Sequence, residues 1–302
     1  MAATNVALPR PEDVELIVCD VDGTLLTDAH VVHPTTQRAF AALRALRPDL
    51  PIVIASGKQY SSCTDVREAL GLEPTFPAIH GHGALLHGDH GELIASHPLA
   101  PHAILHIADQ MRGRGTFVFT PDAVVLINAE AGKDWATVAR KYDKHVIDAS
   151  GPSERTEFLR RIETGEQPIV KITVCTDTAE TEAVFAQLEG HQRELVSSSD
   201  TSKSEPPFHI TRAIPWIIEL VPPGVDKARA VRELCATRGL DMSKVLAFGD
   251  GDNDAKMLES VGHGVAMGNG MPEPKRRAKY VTVTNNEGGV GVFISSIFGF
   301  ET

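Results

Sequence analysis

The sequence predicts an α/β protein whose core is a doubly wound parallel sheet, interrupted by a smaller inserted α+β domain. Three observations lead there. Short continuous apolar runs (LIVC, IVIA, VLAF) each stop at polar, acidic or glycine-containing residues, as expected of parallel strands covered on both faces. A helical pattern separates the first two runs, so a right-handed crossover should join them. The pattern then changes character between about residues 87 and 215 and resumes afterwards.

Taken in order, Leu16-Ile17-Val18-Cys19 is the first strand and ends in Asp20. A helix is predicted around Pro34 to Arg47, with Pro34 near its first turn, Phe40, Leu43 and Leu46 as its apolar stripe, and Pro48 limiting its end. Ile52-Val53-Ile54-Ala55 is the second strand and ends in Ser56-Gly57. Ligands of such sheets bind at the carboxyl ends of the strands, where Asp20 and Ser56 are both predicted. The insert shows strand-like pieces (Thr116 to Phe119, Val124 to Ile127, Val170 to Val174) and helix-like pieces (Ala103 to Arg112, Thr178 to Leu188). Its polar stretch from Ser197 to Pro207 reads as a loop.

Trp216 to Val221 then reads as a strand of the resumed core, Pro222-Pro223-Gly224 as a turn, and Lys227 to Arg238 as a helix ended by Gly239. Val245-Leu246-Ala247-Phe248 is a further buried strand, with Val265 to Met267 and Tyr280 to Val283 as later ones. The expected division is therefore residues 1–86 and 216–302 for the core and 87–215 for the insert.

Composition narrows the partners. A formal net charge of -11 disfavours nucleic acid and anionic membranes, which reward basic patches. The one dense basic run, Lys275-Arg276-Arg277, reads as a solvated helix face. The first residues lack the basic start and apolar stretch of a secretory signal, and no apolar run reaches bilayer length. Cys19, Cys63, Cys175 and Cys235 are far apart with no CxxC pair, which suits a reducing compartment, and the cytoplasm is expected.

Four clusters carry candidate chemistry. In Asp20-Val21-Asp22-Gly23-Thr24, one carboxylate can attack phosphorus to form an acyl phosphate. A second carboxyl two residues on can protonate the leaving oxygen and later activate water. A lone DxDG is also a common Asx turn at a strand end. In Ser56-Gly57-Lys58, a hydroxyl and free backbone N–H groups suit a phosphate oxygen, although most Ser-Gly pairs are turns. Lys227 opens a helix, where its ammonium could neutralise phosphate and the attacking carboxylate. Gly249-Asp250-Gly251-Asp252-Asn253-Asp254 packs carboxylates that repel one another without a cation. Magnesium suits such oxygen ligands; the calcium EF-hand pattern requires another residue order.

These clusters, in this order, resemble the haloacid dehalogenase (HAD) superfamily, and more narrowly its Cof-type, type IIB-capped sugar phosphatases. The matching text is LIVCDVDGTLL, VIASGK, GVDKARAV and VLAFGDGDNDAKML, followed by GVAMGNG and NNEGGV. The resemblance implies a Rossmann-like core with an inserted cap that governs specificity, and hydrolysis of a small phosphate ester such as a sugar phosphate. It implies Asp20 as nucleophile and magnesium ligand, and Asp22 as general acid/base whose backbone carbonyl also reaches the metal. Ser56, Gly57, Lys227 and Asn253 match phosphate-side positions, Asp250 the last protein ligand of magnesium, and Asn253 and Asp254 the neighbours that steady the lysine and metal-bound water.

Two departures fall on the substrate side, His82-Gly83-Ala84 where relatives carry Asn-Gly-Ala and Lys58 where Arg is frequent, while GNG for the commoner GNA is a small change. A phosphotransferase or mutase of the same superfamily is the alternative, but its longer fourth-motif insertion is missing from the compact GDGDND. A non-catalytic binding protein on this fold would have lost one of Asp20, Asp22, Lys227 or Asp250, and all are present. His102 and His106 have metal-compatible helical spacing without a third ligand in reach of spacing alone. Trp135, Arg140, Lys141 and Lys144 either line the cap or form an ordinary exposed helix.

Overall fold

The computed structural model describes residues 7–72, 76–197 and 206–301, in two compact units. The predicted loop from Ser197 to Pro207 lies largely outside the described residues. In chain order the first part carries β1 (Leu16–Cys19), α1 (Pro34–Leu46), β2 (Ile52–Ala55), α2 (Thr64–Leu70), β3 (Ala78–His80), β4 (Leu85–His87) and β5 (Leu93–Ser96). Next come α3 (Pro101–Gln110), β6 (Thr116–Phe119), β7 (Val124–Asn128), α4 (Trp135–Ala139), β8 (Val146–Asp148), α5 (Pro152–Glu163), β9 (Lys171–Cys175), α6 (Thr181–Ser197), β10 (His209–Ile214) and β11 (Ile217–Val221). The last part holds α7 (Lys227–Arg238), β12 (Val245–Gly249), α8 (Ala255–Ser260), β13 (His263–Ala266), α9 (Pro272–Arg277), β14 (Tyr280–Val281) and α10 (Gly289–Phe298).

The first unit comprises residues 1–94 and 226–302. Its sheet runs β14-β13-β12-β1-β2-β3-β4-β5. All pairings from β14 to β3 are parallel, and β4 then turns back antiparallel to β3. The chain moves outward from β1 through β2 to β3 on one side, and from β12 through β13 to β14 on the other. This reversal beside β1 is the topological switch point at which open α/β sheets bind ligands. Every residue of β1, β2 and β12 is buried, which explains their unbroken apolar runs.

Local signals set the helix ends. The His33 side chain accepts a hydrogen bond from Thr35 N at the start of α1, and Pro34 needs no donor partner there. Asp226 caps α7 by accepting from Arg229 N at 2.8 Å, and Gly239 ends it with φ +66. Phe40 and Leu43 of α1 share the core with Val290, Phe293 and Ile294 of α10. Cys19 is buried in that same cluster, and burial pushes its thiol far above the ordinary range. In α9, Arg276 and Arg277 pair with Glu273, Arg277 also pairs with Glu259, and Lys275 donates to the Gly268 carbonyl, so the cations of the basic run are held by local partners.

The second unit, residues 95–225, has the sheet order β10-β11-β9-β6-β7-β8. Alternate residues Val118, Val125, Ile172, Val174, Ile218 and Leu220 share one core with α3, α5 and α6. This corrects the reading of Trp216 to Val221 as a core strand. β11 pairs antiparallel with β9 and β10, and it belongs to the second unit. The units divide at 94/95 and 225/226 rather than at 86/87 and 215/216. An apolar run announces a strand but not its sheet, and Glu219 inside this run is paired with Lys171 of β9 at 2.6 Å. Pattern reading also passed over β5, β8 and α5. The presumed helix with Trp135, Arg140, Lys141 and Lys144 stops at Ala139. Trp135 itself bonds Glu130 at 2.8 Å and stacks on Trp216 within the unit. Among the described residues no helix is long and apolar enough to cross a membrane.

Candidate active site

Asp20 is the first residue past β1, and its backbone N–H still donates to Phe248 O of β12 at 3.0 Å. The sheet thus places its carboxylate at the switch point, with the side chain 10% exposed. Lys227 begins α7, and its side chain is fully buried. Its ammonium donates to Asp20 Oδ1 at 2.5 Å and to Asp254 Oδ1 at 2.6 Å. Asp254 holds its place by accepting Asp250 N at 3.1 Å and Gly251 N at 3.0 Å through its other oxygen. Asp250 in turn accepts the Thr24 hydroxyl at 3.0 Å.

Carboxylate oxygens of Asp20, Asp250 and Asp254 lie within 4.8 Å of one another. Burial drives the Asp20 carboxyl well above its usual range; Lys227 opposes this, while Asp254 and Asp250 add repulsion. Burial and the Asp254 charge likewise push Asp250 up to about 6. Burial works against the Lys227 ammonium, but the attraction of Asp20 and Asp254 outweighs it, so its pKa rises and it stays protonated. Three carboxylates facing one ammonium leave the cluster short of positive charge. An all-oxygen donor set with surplus negative charge fits a hard divalent cation.

Asp22 is set apart from this cluster. Its side chain is half exposed, and Oδ1 accepts from Lys58 Nζ at 2.6 Å. Ser56 is buried at the end of β2, where its hydroxyl accepts Lys58 N at 3.1 Å. The Ser56-Gly57-Lys58 turn is therefore linked to Asp22 through Lys58. Beside it, His82 adopts φ +59, a left-handed conformation uncommon for a side chain other than glycine. A Cβ at Gly57 would stand 2.4 Å from the His82 ring, so a side chain there would displace the imidazole. Asn253 Nδ2 lies 3.4 Å from His82 Nδ1, so Asn253 faces the departing position and Asp254 alone of the two contacts the lysine.

The two terminal motifs, matched in sequence without a role, brace the segment after Asp20. Asn269 Nδ2 donates to Gly23 O at 2.8 Å, and Asn269 Oδ1 accepts Asn285 N at 2.9 Å. Asn285 Nδ2 donates to Leu26 O at 2.9 Å, and Asn286 Nδ2 to Asp28 Oδ2 at 2.8 Å. Two asparagines in tandem before a Gly-Gly turn were the visible signal; only the partners were hidden.

Comparison with known proteins identifies the family of the chain. Residues 17–294 match the family model described as haloacid dehalogenase-like hydrolase. An uncharacterized hydrolase of Schizosaccharomyces pombe is 33% identical over 96% of this chain and 93% of its own length. A 5-amino-6-(5-phospho-D-ribitylamino)uracil phosphatase of Bacillus subtilis is 26% identical over 94% of this chain and 97% of its own. In fold, the chain is similar to a crystal structure of a haloacid dehalogenase-like hydrolase from Bacteroides thetaiotaomicron. That likeness has a TM-score of 0.74 at 24% identity, covering 94% of this chain and 100% of that one. The buried Asp20–Lys227–Asp254 arrangement at the switch point thus sits in a chain matched almost end to end, and the protein belongs to the haloacid dehalogenase superfamily as a Cof-type phosphatase.

Proposed function

We propose that the protein hydrolyses the phosphomonoester of a small metabolite, a sugar phosphate or a phosphorylated polyol, with magnesium and through a phosphoryl group carried on Asp20. The observation that carries this reading is the Asp20 carboxylate, held by Lys227 and crowded by Asp250 and Asp254. Asp20 attacks phosphorus, and the bond to the ester oxygen breaks as Asp22 gives that oxygen its proton. Water then attacks the acyl phosphate while Asp22 takes its proton back, freeing phosphate and restoring Asp20. Lys227 remains charged throughout and offsets the negative charge gathered at Asp20. Lys58 orients the Asp22 carboxyl, and the Ser56 hydroxyl with the following backbone N–H groups suits the phosphoryl oxygens. Asp20, Asp250 and the backbone carbonyl of Asp22 would hold magnesium, which when bound supplies electrostatic stabilisation of the transferring group. The Bacillus subtilis relative, named for a phosphorylated ribityl compound, supports a phosphate on a polyhydroxylated chain as substrate.

A screen of the purified protein against phosphorylated sugars, polyols, nucleotides and cofactors tests the substrate class. Turnover of the best substrate should vanish with chelator and return with magnesium; full turnover in metal-free buffer would overturn the mechanism. A narrower test uses Gly23, which has φ +77 and whose added Cβ would stand 2.3 Å from Asp250 Oδ2. Gly23→Ala should lose about 1–2 kcal/mol of stability through backbone strain. It should also raise the magnesium concentration needed for half-maximal activity, because Asp250 must move. Urea unfolding and a magnesium titration measure the two effects.

A further inference from the structure

Outside the active site, the second unit holds another group of potential ligands. His106 lies on α3, and His191 and Glu194 are three residues apart on α6. His106 Nε2 is 3.3 Å from His191 Nδ1, which is 3.1 Å from Glu194 Oε2; Glu194 Oε2 is 3.9 Å from His106 Nε2. The sequence pairing of His106 with His102 is thereby replaced: the neighbours of His106 come from another helix, 85 residues away along the chain.

Zinc binds imidazole nitrogen and carboxylate oxygen at about 2.0–2.2 Å, which puts the ligand atoms of a tetrahedral ion about 3.3–3.6 Å apart. The observed separations of 3.1, 3.3 and 3.9 Å bracket that spacing. Hydrogen bonding alone serves the trio poorly. His191 Nδ1 carries at most one proton, yet it is the near neighbour of both other groups. Its Nε2 is buried with no partner among the described residues, so Nδ1 is the nitrogen this ring can offer a ligand. Both helices are anchored from below, α3 by Ile104 and Ile107 and α6 by Val184 and Leu188, so the ligand atoms are presented from a packed scaffold.

We propose that His106, His191 and Glu194 form a second metal site, for a divalent transition ion of the zinc class. It ties α3 to the last turns of α6 and leaves one coordination position to solvent. Two imidazoles and one carboxylate favour zinc, nickel or copper over magnesium, so the site differs in selectivity from the all-oxygen cluster at Asp20. The full-length, metal-stripped protein, held in saturating magnesium to occupy that cluster, is titrated with zinc chloride against a chromophoric chelator. One tight equivalent is expected. His106→Gln, His191→Gln and Glu194→Gln should each weaken it by about tenfold or more, the range even for supporting groups of metal sites. Zinc should raise the unfolding midpoint of the parent protein and leave that of His106→Gln unmoved, while both hydrolyse an aryl phosphate equally in magnesium. Zinc affinity equal in the parent and all three variants, or no tight equivalent at all, would overturn the site. Cobalt gives a measurement independent of any variant. The magnesium-saturated parent should show the intense visible bands of a four-coordinate ion, and only the weak bands of six-coordinate cobalt would also overturn the proposal.

Discussion

Asp20→Asn should abolish turnover, by about 10⁴-fold or more, since removal of a nucleophile forfeits the covalent route and leaves only what binding and electrostatics supply. The same substitution should not unfold the protein. Asparagine keeps the shape of the side chain and removes one of three carboxylates crowded around a single ammonium. In metal-free buffer the variant should therefore unfold at the same temperature as the parent or higher. In saturating magnesium the order should reverse, because the parent gains a bound cation that the variant holds less well. Rates from a continuous phosphate assay and melting curves with and without magnesium decide both points. Near-normal turnover would require another nucleophile or direct attack by water.

Lys227→Met should be the most destabilising single change at the site. The side chain is fully buried, and the substitution leaves Asp20 and Asp254 facing each other without their shared cation. Breaking a buried ion pair by deleting one partner costs about 3–5 kcal/mol, far more than the net worth of the intact pair. Chemical denaturation in metal-free buffer should show a loss of that size, together with loss of turnover. The double variant Lys227→Met with Asp254→Asn should recover a large part of the stability but none of the activity, because one stranded charge is gone while Asp20 still lacks its ammonium. If the single variant kept its stability, the close Lys227 contacts would not be the pivot of this cluster. If the double variant regained nothing, Asp254 would be coupled to something other than the lysine.

Much of the site was legible because each of its parts is local. Asp20, Ser56 and Asp250 follow short buried strands, and in a parallel sheet strand ends meet on one edge. The bounds of α7 were marked by its neighbours, the Pro222-Pro223-Gly224 turn before it and Gly239 as its stop. The brace formed by Asn269, Asn285 and Asn286 was recognisable as text and opaque as function. Its partners, Gly23, Leu26 and Asp28, lie more than two hundred residues earlier in the chain.

By itself the sequence determined the fold class, the strand-end carboxylates and the lysine, since short apolar runs, caps and glycines act over a few residues. Tertiary structure alone decided which of these side chains touch. It joined Lys227 to Asp20 across 207 positions, drew Lys58 to Asp22, set His82 against Gly57, and moved β11 from the core to the second sheet. It also gave His106 partners from α6 rather than from its own helix. The reason is common to all five. Periodicity encodes which face of an element is buried, but strand order and helix docking come from the packing of the whole core, which no local pattern carries.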